Sequence, residues 1–320
     1  MAAQIAAGSI TIDNSEYTTW DSCFVQGMYS GALRRMNARA RAPLAFGGAV
    51  HAGLDKFLVL FSQGGLSFRD IMEQTHTAAL ADAATSNLDG LGDPARNSRT
   101  LVSLLDSYCL EYSRVDSMRF TILSIDGQPA VEQSFVVPLG KFACITSTWG
   151  AQEINVNWSG KIDIISKYDN AICPVDHKTT SVMGEKFIDD KVRGSQMLGY
   201  TYASRYLSHR LFNDLPVFGV RINALAMRKG GYEFKLFDIP FPDWKVGEWQ
   251  SETLLSIQNL VEQLDKFLVR GEAVPTREHC VTKYGKCQFF DVCDTPATMR
   301  DRILFDDSYF FKSDWSPLNT

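Results

Sequence analysis

Asp163, Asp176 and Lys178 are the residues whose types and spacing point most directly to chemistry. They lie in a stretch of alternating apolar residues from Gly160 to Thr180, interrupted by Asp169-Asn170. Both residues of that pair tolerate positive φ, which suits a two-residue hairpin turn. Pairing positions about this turn sum to 339, so Asp163 falls across from Asp176. Side chains two apart share a sheet face, so Lys178 joins Asp176. Carboxylates directly opposite on paired strands repel, but together they suit a hard divalent cation, which takes oxygen ligands. A lysine beside them can orient or deprotonate a water, or offset charge on a phosphate. The same residues also fit a solvated hairpin face on which Lys161 and Lys178 neutralise the two aspartates.

Other candidates are scattered along the chain. His51 sits in the segment Phe46 to Asp55, where Gly47, Gly48, Ala49, Ala52 and Gly53 would let a helix approach a sheet closely; a core histidine is the other reading. Gln196 and Tyr200 have the i, i+4 spacing of one helical face, as a polar pair on an amphipathic helix also would. Glu132 lies in a strand-like Val-Glu-Gln-Ser-Phe run, where a solvated carboxylate is equally at home. Cys280, Cys287 and Cys293 cluster in the tail, and Cys23 precedes them by about 260 residues. Thiolates suit zinc and iron–sulfur clusters alike. Cys109, Cys144 and Cys173 lie in apolar stretches and read as core. Arg34, Arg35, Arg39 and Arg41 form a basic run that could line a DNA path or simply face solvent.

The order Gly-x-Ile-Asp163, then Val-Asp176-x-Lys178-Thr, resembles the PD-(D/E)XK nuclease superfamily, in particular its RecB-like branch. The segment from Gly47 to His51 resembles that branch's Gly-x-x-x-His motif, and Gln196 with Tyr200 its Gln-x-x-x-Tyr motif. One early cysteine plus three late ones resembles its iron–sulfur nucleases, of the AddB and CRISPR-associated exonuclease kinds. The resemblance implies a catalytic set of Asp163, Asp176 and Lys178, assisted by Gln196 and Tyr200. It implies Mg2+ or Mn2+ on His51, Asp163 and Asp176. Cys23, Cys280, Cys287 and Cys293 would hold a 4Fe–4S cluster, with zinc as the other occupant. Glu132 matches a glutamate found at a similar place in relatives. The implied activity is phosphodiester hydrolysis on single-stranded DNA or DNA ends, in repair or recombination. A helicase, a recombination complex or the CRISPR adaptation machinery would be its partner. A DNA-binding scaffold, or a zinc-stapled endonuclease or nickase, stands as the alternative. The implied fold is α/β: a restriction-endonuclease-like mixed sheet flanked by helices, with an N-terminal helical elaboration and a cysteine-rich C-terminal tail.

Helices and strands must bring these residues together. Asn14 and Ser15 are cap candidates for a first helix through Trp20 and Phe24. Pro43 breaks the basic run, and Phe46 to Phe61 reads as a helix with Val50, Leu54, Phe57, Leu58 and Phe61 on one face. Segments 67–84 and 98–115 read as helices, with a loop at 86–97. From Phe120 the period changes from helical to alternating, with Val131, Gln133, Phe135 and Val137 on one face, and strands continue to Thr179. A helix over 187–208, a strand pair over 216–238 and a stripe from Leu254 to Leu268 that ends before Gly271 complete the chain. The expectation is one domain over 1–320, with a helical part at 14–118, a sheet core at 119–240, and a C-terminal helix and tail at 241–320.

The 320 residues are 45% hydrophobic, 12% aromatic and 22% charged, values of a globular chain rather than a disordered one. A net charge of −5 argues against wholesale wrapping of DNA but leaves room for a local basic groove. Seven cysteines, an odd number, suit a reducing compartment. No run of about 20 apolar residues and no basic leader segment is expected. The expected location is the cytoplasm, or the host cytoplasm for a viral protein, with no membrane partner.

Overall fold

The computed structural model describes residues 1–37, 42–271, 273, 275–282, 285–313 and 318. The principal elements in chain order are β1 (Ser9–Asp13), α1 (Asn14–Ser22), α2 (Ala42–Gln63), α3 (Phe68–Thr85) and α4 (Ser98–Arg114). They continue with β2 (Val131–Thr146), β3 (Gly150–Tyr168), β4 (Ala171–Thr180), α5 (Glu185–Val192) and α6 (Ser195–Leu211). The last are β5 (Gly219–Arg228), β6 (Gly231–Pro240) and α7 (Asp243–Arg270). The fold is thus α/β, with a mixed central sheet and flanking helices. The chain divides into two compact units, one of Met1–Arg39, Ser134–Gly160 and Gly247–Thr320, the other of Ala40–Gln133 and Lys161–Val246.

The second unit carries the hairpin. Its β3–β4 pairs run from Ile164 opposite Val175 to Tyr168 opposite Ala171, every one summing to 339. Asp169 turns the chain at φ 50°. β4 then pairs with β5 in parallel, Val175 opposite Arg221 through Thr180 opposite Ala226. A parallel pair needs a crossover, and α5 and α6 provide it. β6 closes the edge antiparallel to β5. On one face Ile164, Val175 and Leu225 pack against α2, α3 and α4 through Phe46, Leu54, Phe57, Ala79, Leu101 and Tyr108. Each such side chain, fully buried, contributes about 1.5–3 kcal/mol.

Several expectations shift here. Pro43 does not end an element; it sits in the first turn of α2, where its missing N–H costs nothing. α2 is also long and apolar enough, by length and composition, to cross a membrane, against the expectation from sequence. Its apolar face is spent on the core instead. Its small residues serve both neighbours: a Cβ at Gly47 would lie 3.6 Å from Thr179 of the sheet, and one at Gly53 2.7 Å from Leu105 and 3.1 Å from Ala79 of the packed helices. The single helix expected over 187–208 is two, parted at Gly194, which precedes α6 in extended conformation.

In the first unit, β1 runs parallel to the opening half of β3, Ser9 opposite Asn155 to Asp13 opposite Ser159. Asp13, not Asn14 or Ser15, caps α1, its carboxylate accepting from the N–H groups of Ser15 and Glu16. Trp158 packs edge-on to Tyr17 and Trp249. The tail forms a small core of Phe289, Val292, Leu304 and Phe310, with Cys287 and Cys293 against it.

Candidate metal centre and cysteine pocket

The metal-site candidates of the second unit converge. Asp163 and Asp176 are buried, 6% and 1% exposed. The main-chain ladder stops at Ile164–Val175, and the next polar groups of β4 serve side chains instead. The N–H of His177 donates to Asp163 Oδ2 at 2.7 Å, and its carbonyl oxygen lies 3.0 Å from His51 Nε2. His51 Nδ1 is 3.5 Å from the same Asp163 oxygen. Lys178 Nζ sits 2.7 Å from Asp176 Oδ1, while Asp176 Oδ2 is buried with no hydrogen-bond partner among the described residues.

Burial raises the Asp163 carboxyl to about 6; His51 counters the rise and Asp176 adds to it. Burial works against the Lys178 ammonium, but Asp176 and Asp163 outweigh it and hold its pKa above the usual lysine value. Lys178 is therefore a fixed cation here rather than a base.

Glu132 belongs to this group. His51, Glu132 and Asp163 each offer a ligand atom, all within 4.8 Å of one another. Glu132 holds φ at 53°, a conformation that L side chains rarely adopt, and pairs with Lys161 at 2.6 Å. Backbone strain of this kind collects at functional sites. Asp55, which the sequence reading passed over, lies one turn beyond His51 on α2. Burial first, then Glu132 and Asp163, push its carboxyl well above the usual range, and its Oδ1 is buried without a hydrogen-bond partner among the described residues. The signal was present: an aspartate four residues after a candidate ligand shares its helical face.

Gln196 Nε2 donates to the Tyr200 hydroxyl at 3.1 Å, as their spacing on α6 predicts. Burial raises the Tyr200 hydroxyl well above the usual tyrosine value, and Asp176, Asp163 and Glu132 raise it further, so Tyr200 stands on the wall of the same cleft.

These donors fit a hard divalent cation. A carbonyl only accepts, so His51 Nε2 carries a proton, and Nδ1 is the ring nitrogen that faces a carboxylate oxygen and would offer its lone pair to a metal. A cation between the two would take both as ligands. Asp55, Glu132, Asp163 and Asp176 against Lys161 and Lys178 leave two negative charges when all are ionised, and the Asp176 Oδ2 atom lacks a partner. The residues that would hold the ion are His51, Asp163 and Asp176, with Glu132 in reach.

In the first unit, Cys23, Cys280, Cys287 and Cys293 line one pocket. The N–H of Cys287 donates to the Cys280 carbonyl at 2.8 Å, closing a short hairpin between the two. Thr276 N–H approaches Cys23 Sγ at 3.4 Å. Burial, despite Arg300, raises the Cys293 thiol to about 11, and the other three cysteines contribute to the rise. Four thiols lining one pocket are donors of the type that thiophilic metals take. Cys109, Cys144 and Cys173 are buried, as expected of core residues.

The basic run divides. Arg35 pairs with Asp307 at 3.0 Å and stacks over Phe305, a structural use rather than a free DNA contact. Arg34 adopts φ 53°. Arg39 and Arg41 lie outside the described residues.

A model of the PD-(D/E)XK nuclease superfamily matches residues 15–294. No curated protein matches the sequence. Among solved structures, a protein of Eubacterium rectale described as a candidate exonuclease is similar at 12% identity and a TM-score of 0.47, over 91% of this chain and 92% of that one. The protein SSO0001 is similar at 11% identity and a TM-score of 0.23, over 72% of this chain and 95% of its own.

Proposed function

The chain belongs to the PD-(D/E)XK nuclease superfamily, and from that premise we propose that it is a metal-dependent deoxyribonuclease acting on single strands or DNA ends. The observation that carries the reading is the meeting of His51, Glu132 and Asp163 beside Asp176, whose free oxygen is buried and whose other oxygen holds Lys178. A divalent cation bound there would stabilise charge on the scissile phosphate and promote in-line attack by water. Asp163 and Asp176 supply the ligand oxygens and hold them on one rigid sheet face. His51 adds a neutral nitrogen, oriented by its bond to the His177 carbonyl. Lys178 keeps its proton and presents a cation to the substrate phosphate. Gln196 and Tyr200 orient the phosphate or the attacking water from α6.

The second part of the proposal is a 4Fe–4S cluster on Cys23, Cys280, Cys287 and Cys293. Their common pocket supports it. Such a cluster would tie the N-terminal segment to the tail and close a loop of about 260 residues. Zinc on the same thiols is the other occupant. We extend the proposal to DNA repair or recombination in the cytoplasm, with a helicase or CRISPR-adaptation partner.

The scaffold reading is less favoured, because a pure binder gains nothing from buried carboxylates facing phosphate. End-labelled linear single strands and covalently closed circles, incubated with Mn2+, test the reading. Degradation of linear strands with circles spared supports exonuclease action. Nicking or linearising of circles replaces it with the endonuclease alternative, and intact DNA of both kinds favours the scaffold.

A further inference from the structure

A second group of polar residues lies on the sheet face opposite Asp176 and reaches the metal-ligand candidates through His51, whose ring centroid is 5.7 Å from that of His177. His177, Asn223 and Tyr108 are each fully buried. His177 and Asn223 are neighbours in the parallel β4–β5 ladder. Asn223 Nδ2 lies 2.7 Å from His177 Nδ1 and donates to the Tyr108 hydroxyl, also at 2.7 Å. Tyr108 comes from α4, inside the apolar core. The three side chains thus form a continuous strut from a core helix, through β5, to the ring of His177.

The cost of this strut makes it informative. His177 Nε2 and Asn223 Oδ1 are buried with no hydrogen-bond partner among the described residues. Apolar side chains would fill the same space without those penalties. What the polar groups provide is position. The main chain of His177 spends both its polar groups on metal-ligand candidates, N–H to Asp163 and carbonyl to His51. Its ladder with β3 has already ended, at Ile164–Val175. Asp163 and His51 therefore both depend on the main chain of one residue, which the β3 ladder no longer holds and which only β5 still pairs.

We propose that Tyr108 and Asn223 are positioning residues for the metal centre, clamping His177 so that its backbone holds Asp163 and His51 at ligating distance. This rests on the metal-site reading above and adds to it the residues that keep the ligands in place. Outer partners of this kind typically alter metal affinity 10–100-fold when lost.

The test is Mn2+ affinity of the full-length protein, read by electron paramagnetic resonance of free Mn2+, with melting temperature measured in parallel. Asn223→Leu removes both hydrogen bonds at similar volume, and Tyr108→Phe removes one. Leu104→Ala opens a cavity one turn from Tyr108 on α4 while leaving every hydrogen bond of the strut in place, as a control for loss of packing. Asn223→Leu is expected to weaken Mn2+ binding at least 10-fold, and Tyr108→Phe several-fold. The double variant is expected to be little worse than Asn223→Leu alone, since the groups act in series. Leu104→Ala should lower the melting temperature and leave Mn2+ affinity within twofold. The inference is overturned if both strut variants bind Mn2+ within twofold of wild type, or if Leu104→Ala weakens binding as much as they do. Should Asn223→Leu fail to fold, Tyr108→Phe decides by the same criteria. A wild-type protein that binds no Mn2+ overturns the metal-site reading itself, a result distinct from any shift among the variants.

Discussion

Lys178 Nζ lies 2.7 Å from Asp176 Oδ1, while the other oxygen of that carboxylate is buried and unpartnered. One aspartate therefore has two faces, one occupied by a fixed ammonium and one open to a cation.

Replacing Lys178 by Ala separates these roles. The ligand oxygens remain, so Mn2+ binding persists, while turnover on labelled DNA falls by about 10²-fold as a charge-stabilising group is lost. The Lys178 side chain is 23% exposed and that of Asp176 1%. The variant should therefore lose about 1–3 kcal/mol without metal, because a buried carboxylate is left unpaired. Added Mn2+ should restore part of that loss. Chemical denaturation with and without metal measures both effects.

Asp163 should behave in the opposite sense. Its folded-state pKa, about 6, lies above the unfolded value of 3.8, chiefly through burial. The folded protein thus holds this proton more tightly, and the favourable contribution disappears as pH rises through about 6. In chelator at pH 7.5, Asp163→Asn should be more stable than wild type, by about 1–3 kcal/mol. At pH 5 the difference should shrink, since wild-type Asp163 is then mostly protonated. The same proton competes with metal, so wild-type Mn2+ affinity should fall as pH drops below about 6. Equal stabilities at pH 7.5 would contradict this account of Asp163.

Protein isolated without oxygen should be brown and carry about four iron atoms. Cys23→Ser should lose the iron and lower the melting temperature, although it lies about 260 residues from the other thiols. A colourless protein with stoichiometric zinc assigns the pocket to zinc, and one with neither metal removes the staple.

Much of the site was legible because strand pairing is arithmetic. The turn at Asp169 fixed the register, and the observed pairs sum to 339 as the hairpin predicted. Gln196 and Tyr200 meet because helical spacing dictates it. The strut was not legible. Tyr108 and Asn223 lie in largely apolar stretches and His177 between Asp176 and Lys178, and only the β4–β5 pairing and the packing of α4 bring the three together. Asp55 was missed for a different reason: its helical spacing from His51 was visible, but its burial against Glu132 was not. The break at Gly194 and the early start of α2 depend on local backbone conformation, for which one glycine or one proline is a weak signal.

The most direct measurement is release of nucleotides from end-labelled single-stranded DNA by wild type and Asp176→Ala, each with Mn2+ and with chelator. The account predicts that wild type with Mn2+ degrades the strand, that chelator stops it, and that Asp176→Ala neither binds Mn2+ tightly nor cleaves. Cleavage by Asp176→Ala at the wild-type rate, or wild-type cleavage undiminished by chelator, would contradict it.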